Sequence, residues 1–207
     1  KQYSVHNAQR ADTQFPPAST FKIFNSLVSL QEGVVDEKTI IPWDSIDRGW
    51  DAWNRDMWME EAFPYSCVWY YQELARRVGE KRMQYWLDTI GYGNQTMGAA
   101  IDLFWLDGDL SISANEQIAL LDKLYHNELA FDTDIQERVK QLMLTDSTDQ
   151  YQIYAKTGWA MRINRQIGWY VGFVETAEGT WLFANNLDIK SDEELTYRKD
   201  LVYMILE

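Results

Sequence analysis

Residues 151–189 read YQIYAKTGWAMRINRQIGWYVGFVETAEGTWLFANNLDI, and this stretch decides the fold class. It contains three runs rich in β-branched and aromatic residues, over 151–160, 167–176 and 180–189. Such runs favour β-strands. Short polar or glycine-containing turns separate them, so we predict an antiparallel meander of three strands.

Helical patterns precede these strands. Apolar residues at helical spacing over 21–28 predict a helix that starts near Ser19. Two further apolar stripes, which begin at Leu74 and Met83, predict another pair of helices. Residues 36–70 are rich in Trp, Asp and Pro without a sustained period, and we interpret them as loops and short helices.

Two capping signals indicate where later helices begin. Ser113 followed by Glu116 has the spacing of a capping box, and Thr133 followed by Gln136 repeats it. In such a box the two side chains satisfy backbone N–H groups at the start of the helix. We therefore predict helices that begin at both places.

The two ends complete the order of elements. Tyr3–Val5 is a plausible strand fragment, and residues 191–207 predict a closing helix. This order predicts an α+β fold, in which helices flank an antiparallel sheet and a helical lobe is inserted. We expect one catalytic domain over residues 1–207, with residues 1–35 and 150–207 in an α/β lobe and residues 36–149 in the helical lobe.

Composition excludes several classes of partner and site. The formal net charge of -13 argues against nucleic acid and anionic membrane surfaces, because both need basic patches. Cys67 is the only cysteine and His6 and His126 are the only histidines, so we expect no disulfide and no metal site. Residues 1–10 lack the apolar core of a signal peptide, so we expect any export signal to lie outside this sequence.

The tetrapeptide Ser19-Thr20-Phe21-Lys22 can supply a nucleophile and a base without histidine. Residues three apart lie on one face of a helix, which brings the lysine amine beside the serine hydroxyl. A serine becomes a good nucleophile only when a base takes its proton. The same spacing also arises by chance, so a helix cap followed by a surface lysine remains an alternative.

A second motif, Lys156-Thr157-Gly158, lies on the first predicted strand of the meander. A lysine and a hydroxyl at a strand edge can hold a substrate carboxylate. The glycine would let that substrate approach the backbone. The alternative is an ordinary turn at the end of a strand.

Several longer segments together resemble the class D serine β-lactamases. They follow one another in the order and spacing of that family, from about Phe15 to Arg198: PPASTFKIFNSL, SCVWYYQELARRVG, GYGNQTMG, IDLFWLDGDLSIS, AKTGWAMR and IGWYVGFVE. The resemblance implies a β-lactamase/transpeptidase-like fold. It also implies hydrolysis of small-molecule β-lactam antibiotics through a serine acyl-enzyme, by a protein of the periplasm or one that is secreted.

The resemblance implies five catalytic roles. Ser19 would be the acylated nucleophile, and Lys22, carbamylated by CO2, would be the general base. Ser66 would pass a proton toward the leaving nitrogen. Val68 would shield the carbamate from water, and Trp105 would donate its indole N–H to it. No cofactor beyond CO2 is implied.

The resemblance also implies a set of residues at the substrate. These are Lys156, Thr157, Gly158, Trp159, Arg198 and Tyr92. Among them, Arg198 would bind the substrate carboxylate, and the backbone N–H groups of Trp159 and Ser19 would form the oxyanion hole. Without the resemblance, Trp105, Trp159 and Tyr92 would be interpreted as core aromatics.

Physical chemistry supports the carbamate. A lysine surrounded by Phe21, Val68 and Trp105 would be desolvated, and desolvation lowers the pKa of an amine. Only the neutral amine reacts with CO2, and the buried anion that results needs a hydrogen-bond donor. Trp105 offers one.

An antibiotic-sensor domain is the alternative function, since such domains share this fold and are acylated without turnover. The WDAWNRD segment, residues 50–56, resembles them. Sensors tend to carry Asn at the position of Val68, so valine there favours the hydrolase.

Overall fold

The computed structural model describes residues 3–206, which form a four-stranded sheet and nine α-helices. The helices are α1 Ala8–Asp12, α2 Phe21–Gln31, α3 Met59–Ala62, α4 Val68–Val78, α5 Glu80–Ile90, α6 Phe104–Asp107, α7 Ala114–Tyr125, α8 Thr133–Leu142 and α9 Tyr197–Leu206. Single 3-10 turns occur at Ala18–Thr20, Asp51–Trp53 and Asp192–Leu195. Within residues 3–206 no helix has the length and apolar character needed to cross a membrane.

The sheet is antiparallel throughout, and its strands lie side by side in chain order. They are β1 Leu144–Ser147, β2 Tyr151–Ala160, β3 Ile167–Thr176 and β4 Gly179–Asp188. The predicted meander and the α+β fold class are therefore confirmed. Sequence reasoning missed β1, a mostly exposed strand of four residues that has no apolar alternation. Because β1 begins before residue 150, the sheet extends into the predicted helical segment, and the division into two lobes stays a prediction.

Strand β3 is buried from Ile167 to Val174, because packed side chains cover both faces of the sheet. On one face Tyr170 and Val174 form a small cluster with Val202 of α9. On the other face Trp169, Val171 and Phe173 belong to the main hydrophobic core. Burial of both faces explains why the run over 167–174 is apolar without strict alternation.

Helix α2 runs through the main core. Every residue from Phe21 to Ser29 is buried, including four polar ones. Two of these bind the same tyrosine of α4: Asn25 Nδ2 donates to the carbonyl oxygen of Tyr71 at 3.1 Å, and the hydroxyl of Ser26 lies 2.9 Å from the Tyr71 hydroxyl. Buried polar groups are costly when unpaired, so these bonds allow a partly polar helix to cross the core.

Several predicted boundaries were wrong. Helix α4 starts at Val68, whereas the apolar stripe predicted a start at Leu74. The stripe covers only the end of the helix. The residues Trp69, Tyr70 and Tyr71 before it are all buried, so they show no helical period in the sequence. Tyr3–Val5 is not a strand: the side chains of Tyr3 and Val5 are 74% and 52% exposed, and no sheet partner covers them. The closing segment is a 3-10 turn followed by α9, and residue 207 lies outside the described part.

One of the two predicted capping boxes forms. At α7, Glu116 N donates to Ser113 Oγ at 3.2 Å, and Ser113 N donates to Glu116 Oε2 at 2.7 Å. At α8 the box was wrong, because Thr133 lies inside the helix. There the fully buried Gln136 instead donates to the carbonyl oxygens of Leu129 and Phe131.

Because only the box at α7 forms, removing the hydroxyl group of Ser113 or of Thr133 should change the stability of the protein by different amounts. Ser113→Ala removes a formed cap and should lower the free energy of unfolding by about 1 kcal/mol. The exposed Thr133→Ala is the matched control and should change that free energy by less than about 0.5 kcal/mol. Urea denaturation followed by circular dichroism measures both, and equal losses would contradict the assignment of caps.

Candidate active site

The turn Pro16–Thr20 is fixed against the sheet at two points. The indole Nε1 of Trp169 on β3 donates a 2.9 Å hydrogen bond to the carbonyl oxygen of Pro16. On β2, a Cβ at Gly158 would lie 2.9 Å from the carbonyl oxygen of Pro17, so a side chain has no room there. The sequence predicted that Gly158 admits substrate, but in the structure the backbone of this turn approaches it.

The turn places the hydroxyl group of Ser19 next to the amine of Lys22. Lys22 Nζ donates a 2.8 Å hydrogen bond to Ser19 Oγ. Ser19 remains half-buried, while Lys22 has no exposed surface. A half-exposed hydroxyl in contact with a buried amine has the arrangement of a nucleophile and its base.

The Lys22 amine lies over an aromatic ring, in a region of the core that is rich in aromatic residues. Its Nζ lies 5.3 Å from the centre of the Tyr71 ring, and the neighbouring Phe21 stacks on Trp105 with ring centres 5.2 Å apart. Burial lowers the pKa of Lys22 from 10.5 to about 7, against a smaller opposing effect of Cys67. The amine is therefore substantially neutral just above neutral pH.

Trp105 contributes an unpaired donor to this region. Its side chain has no exposed surface, and within residues 3–206 its buried Nε1 has no hydrogen-bond partner. Since buried N–H groups are nearly always paired in folded proteins, this one is available to an acceptor.

A second serine–lysine contact joins Ser66 to strand β2. Lys156 Nζ donates to Ser66 Oγ at 3.0 Å and to the carbonyl oxygen of Thr157 at 3.2 Å. Ser66 has a φ of 55° and immediately precedes the N-cap of α4, which turns its hydroxyl toward β2. Burial holds the pKa of Lys156 well below its usual range, and the positive charges of Lys22 and Arg198 lower it further.

Arg198 reaches the same strand from α9. Its Nε donates to the carbonyl oxygen of Leu195 at 2.7 Å, and its Nη1 donates to the carbonyl oxygen of Gly158 at 2.9 Å. Beside it on β2, Trp159 is half-buried and its Nε1 donates to Gln166 Oε1 at 2.9 Å. These bonds orient both side chains at the end of β2 that carries the Lys-Thr-Gly motif.

The two remaining predicted site residues, Tyr92 and Val68, pack against the hydrophobic core. Tyr92 is only 3% exposed, and its ring packs against Phe21 and Phe24 with centres 5.4 and 5.2 Å apart. This position supports the packing of α2 and offers substrate no surface, which contradicts the substrate-binding prediction. Val68 is half-buried as the first residue of α4, where it packs against the main core.

Sequence reasoning missed Tyr71 and Gln166. Tyr71 follows Val68 by three residues and so shares its helix face, a signal that was available in the sequence. Gln166 lies in the β2–β3 turn, and its bond to Trp159 depends on the register of the hairpin. No group of three or more His, Cys, Asp or Glu side chains in the described range is arranged to hold a metal ion.

Comparison with known proteins identifies one family. The family model of the penicillin-binding-protein transpeptidase domain matches residues 1–207. β-Lactamase OXA-48 of Klebsiella pneumoniae is 46% identical over 98% of this chain and 77% of its own. The probable β-lactamase YbxI of Bacillus subtilis is 42% identical over 89% of this chain and 69% of its own. The crystal structure of the class D β-lactamase YbXI from Nostoc superposes with a TM-score of 0.96 at 40% identity, covering 99% and 87% of the two chains.

The low pKa of Lys22 predicts how stability depends on pH. Between about 7 and the ordinary 10.5 the unfolded chain binds a proton at this amine that the folded chain lacks. The native protein therefore loses stability as the pH falls from 10.5 to about 7. Lys22→Met escapes this loss, so its gain in melting temperature over the native protein should be larger at pH 7 than at pH 10.

Thermal unfolding in CO2-free buffer at the two pH values measures this gain. Lys123→Met removes an exposed lysine of α7 and controls for the loss of a positive charge alone. If the Lys22→Met variant differed from the native protein by the same amount at both pH values, the low pKa would be wrong.

Proposed function

Because the chain belongs to the class D serine β-lactamases, we propose that it hydrolyses β-lactam antibiotics through an acyl-enzyme on Ser19, with Lys22 in its carbamylated form as the general base. The observation that carries this proposal is the 2.8 Å contact between Ser19 Oγ and a fully buried Lys22. From the usual location of this family we also propose that the protein acts in the periplasm or is secreted.

In the first step Ser19 Oγ attacks the lactam carbonyl carbon while its proton moves toward Lys22. The backbone N–H groups of Ser19 and Trp159 are proposed to stabilise the negative oxygen that forms. Close packing between β2 and the turn before α2 supports this pairing of the two N–H groups, since a Cβ at Gly158 would lie only 2.9 Å from the carbonyl oxygen of Pro17. The leaving nitrogen then needs a proton, and Ser66, hydrogen-bonded to Lys156, stands ready to pass one on.

The residues around Lys22 fit a carbamate. The amine is neutral above about pH 7, as reaction with CO2 requires, and Trp105 Nε1 is a buried donor without a partner in the described range. When formed on Lys22, a carbamate supplies a carboxylate oxygen that can accept the Ser19 proton. Trp105 would hold that anion by donating its Nε1 N–H, and Val68 would limit access of water.

Positive groups of the site suit an anionic substrate. β-Lactams carry a carboxylate next to the ring that opens. Arg198 uses two N–H groups to bind backbone carbonyl oxygens, which leaves its remaining donors for this carboxylate. Lys156 and Thr157 precede Gly158 on β2, the strand that Arg198 contacts. We propose that Arg198, Lys156 and Thr157 bind the carboxylate together.

Ser19→Ala should abolish formation of the acyl-enzyme, because no other hydroxyl of the site contacts the Lys22 amine within residues 3–206. Mass spectrometry after incubation with benzylpenicillin should show no adduct in this variant, and turnover of a chromogenic cephalosporin should cease. Ser147→Ala, on the exposed strand β1, is the control. A drug adduct that persists in the Ser19→Ala variant would overturn the nucleophile. Native protein that is acylated once without turnover would instead be a sensor.

Activity should depend reversibly on CO2 if Lys22 works as a carbamate. At a fixed pH of about 8, chosen because the Lys22 amine is then largely neutral, degassing should lower turnover and bicarbonate should restore it. Trp105→Phe keeps a ring against Phe21 but removes the donor. It should need roughly ten- to a hundredfold more bicarbonate, as expected for a lost hydrogen bond to a charge worth about 1.5–3 kcal/mol.

Trp86→Phe is the matched control, because Trp86 is buried but binds Glu32, away from the lysine site. It should show the bicarbonate requirement of the native protein. Turnover that ignores both degassing and bicarbonate would leave Lys22 as a plain amine base and exclude the carbamate.

A further inference from the structure

Gly168 on β3 lies directly under the side chain of Arg198. A Cβ built at Gly168 would meet Arg198 Cδ at 2.7 Å, Arg198 Cγ at 3.0 Å and Ile189 Cδ1 at 2.7 Å. Real Cβ atoms essentially never lie closer than 3.0 Å to another side chain, so the stem of Arg198 and the end of Ile189 would both have to shift for any other residue at position 168.

The strand register explains why the stem crosses at this point. Gly168 pairs with Trp159, and Gly158 pairs with Trp169. Side chains alternate between the two faces of a strand, so position 168 faces the same side as Tyr170, which packs with Val202 of α9. Arg198 leaves the first turn of α9, crosses β3 over Gly168 and reaches the Gly158 carbonyl oxygen on β2.

We propose that Gly168 is a positioning residue for substrate affinity: its missing side chain lets Arg198 lie flat across β3, which sets the guanidinium at the place where it binds the substrate carboxylate. The inference rests on the carboxylate-binding role proposed for Arg198. A side chain at 168 would lift the arginine stem and break the 2.9 Å bond to Gly158. It would leave Ser19 and Lys22, on the other face of the sheet, in place.

This role predicts a particular kinetic signature for Gly168→Ala. Loss of a correctly placed arginine weakens binding in the ground state and the transition state alike, so KM rises while kcat stays nearly constant. For benzylpenicillin we expect KM to rise roughly tenfold, the lower end for loss of a charge-assisted hydrogen bond. For benzylpenicillin methyl ester, which lacks the carboxylate, the variant should match its parent.

The experiment is a double-mutant cycle in an Ile189→Val background. Valine lacks the Cδ1 atom that would also meet the new Cβ, so Arg198 is the remaining close neighbour. The four proteins are I189V alone and I189V with G168A, with R198A, or with both. The expected result is that G168A raises KM when Arg198 is present and changes it less than about twofold when position 198 is alanine.

The outcomes separate the inference from the function on which it rests. If R198A leaves the KM for benzylpenicillin unchanged, the proposed role of Arg198 fails, and the role of Gly168 fails with it. If R198A raises KM and G168A does not, only the role of Gly168 fails. An equal rise from G168A with and without Arg198 would also overturn it, since the alanine would then act through the backbone of Trp159.

Folding gives a second readout in case G168A is unstable. If the arginine stem causes the clash, removing it in the G168A/R198A protein should recover the melting temperature of R198A alone. Failure of the combined variant to recover would place the clash elsewhere and contradict the proposal.

Discussion

The burial of Lys22 is the constraint on which the rest of the site depends. An ammonium group without exposed surface is costly in a protein interior, and the chain lowers this cost by favouring the neutral amine, with a pKa of about 7. The Tyr71 ring lies 5.3 Å from the amine, and the lysine as a whole has no exposed surface. An amine that would be a solvated surface charge elsewhere thus contacts Ser19 in a largely neutral form just above neutral pH.

The sheet supplies the second constraint, because it fixes the turn that carries Ser19 beside the buried lysine. Trp169 and Gly158 hold the turn before α2 from two adjacent strands. Side chains alternate between the two faces of β2. Lys156 and Gly158 therefore lie on the face toward the turn, and Thr157 and Trp159 lie on the face toward α9. One strand therefore presents Lys156 to Ser66 on one face and Trp159 toward Gly168 and α9 on the other.

Local patterns predicted local structure, and failed where contacts are distant in sequence. Short sequence spacings predicted both the Ser19–Lys22 contact and the cap at Ser113. The bond between Trp169 and Pro16 joins residues 153 apart, and nothing in the sequence marks it. For the same reason Tyr92 was misassigned, since an aromatic residue has the same local pattern whether it lines a cleft or packs behind a helix.

Net charge and local charge act on substrate over different distances. The chain carries a net charge of -13 and the proposed substrate is an anion, so the net charge of the protein repels that substrate. At physiological ionic strength, however, charges separated by more than about 8 Å are largely screened. An approaching carboxylate therefore responds little to the acidic surface, and in the proposed binding mode its main electrostatic partner inside the site is Arg198. The positive charge of the partly buried Arg198 is screened less than a surface charge, so the acidic surface of the protein does not argue against the proposed anionic substrate.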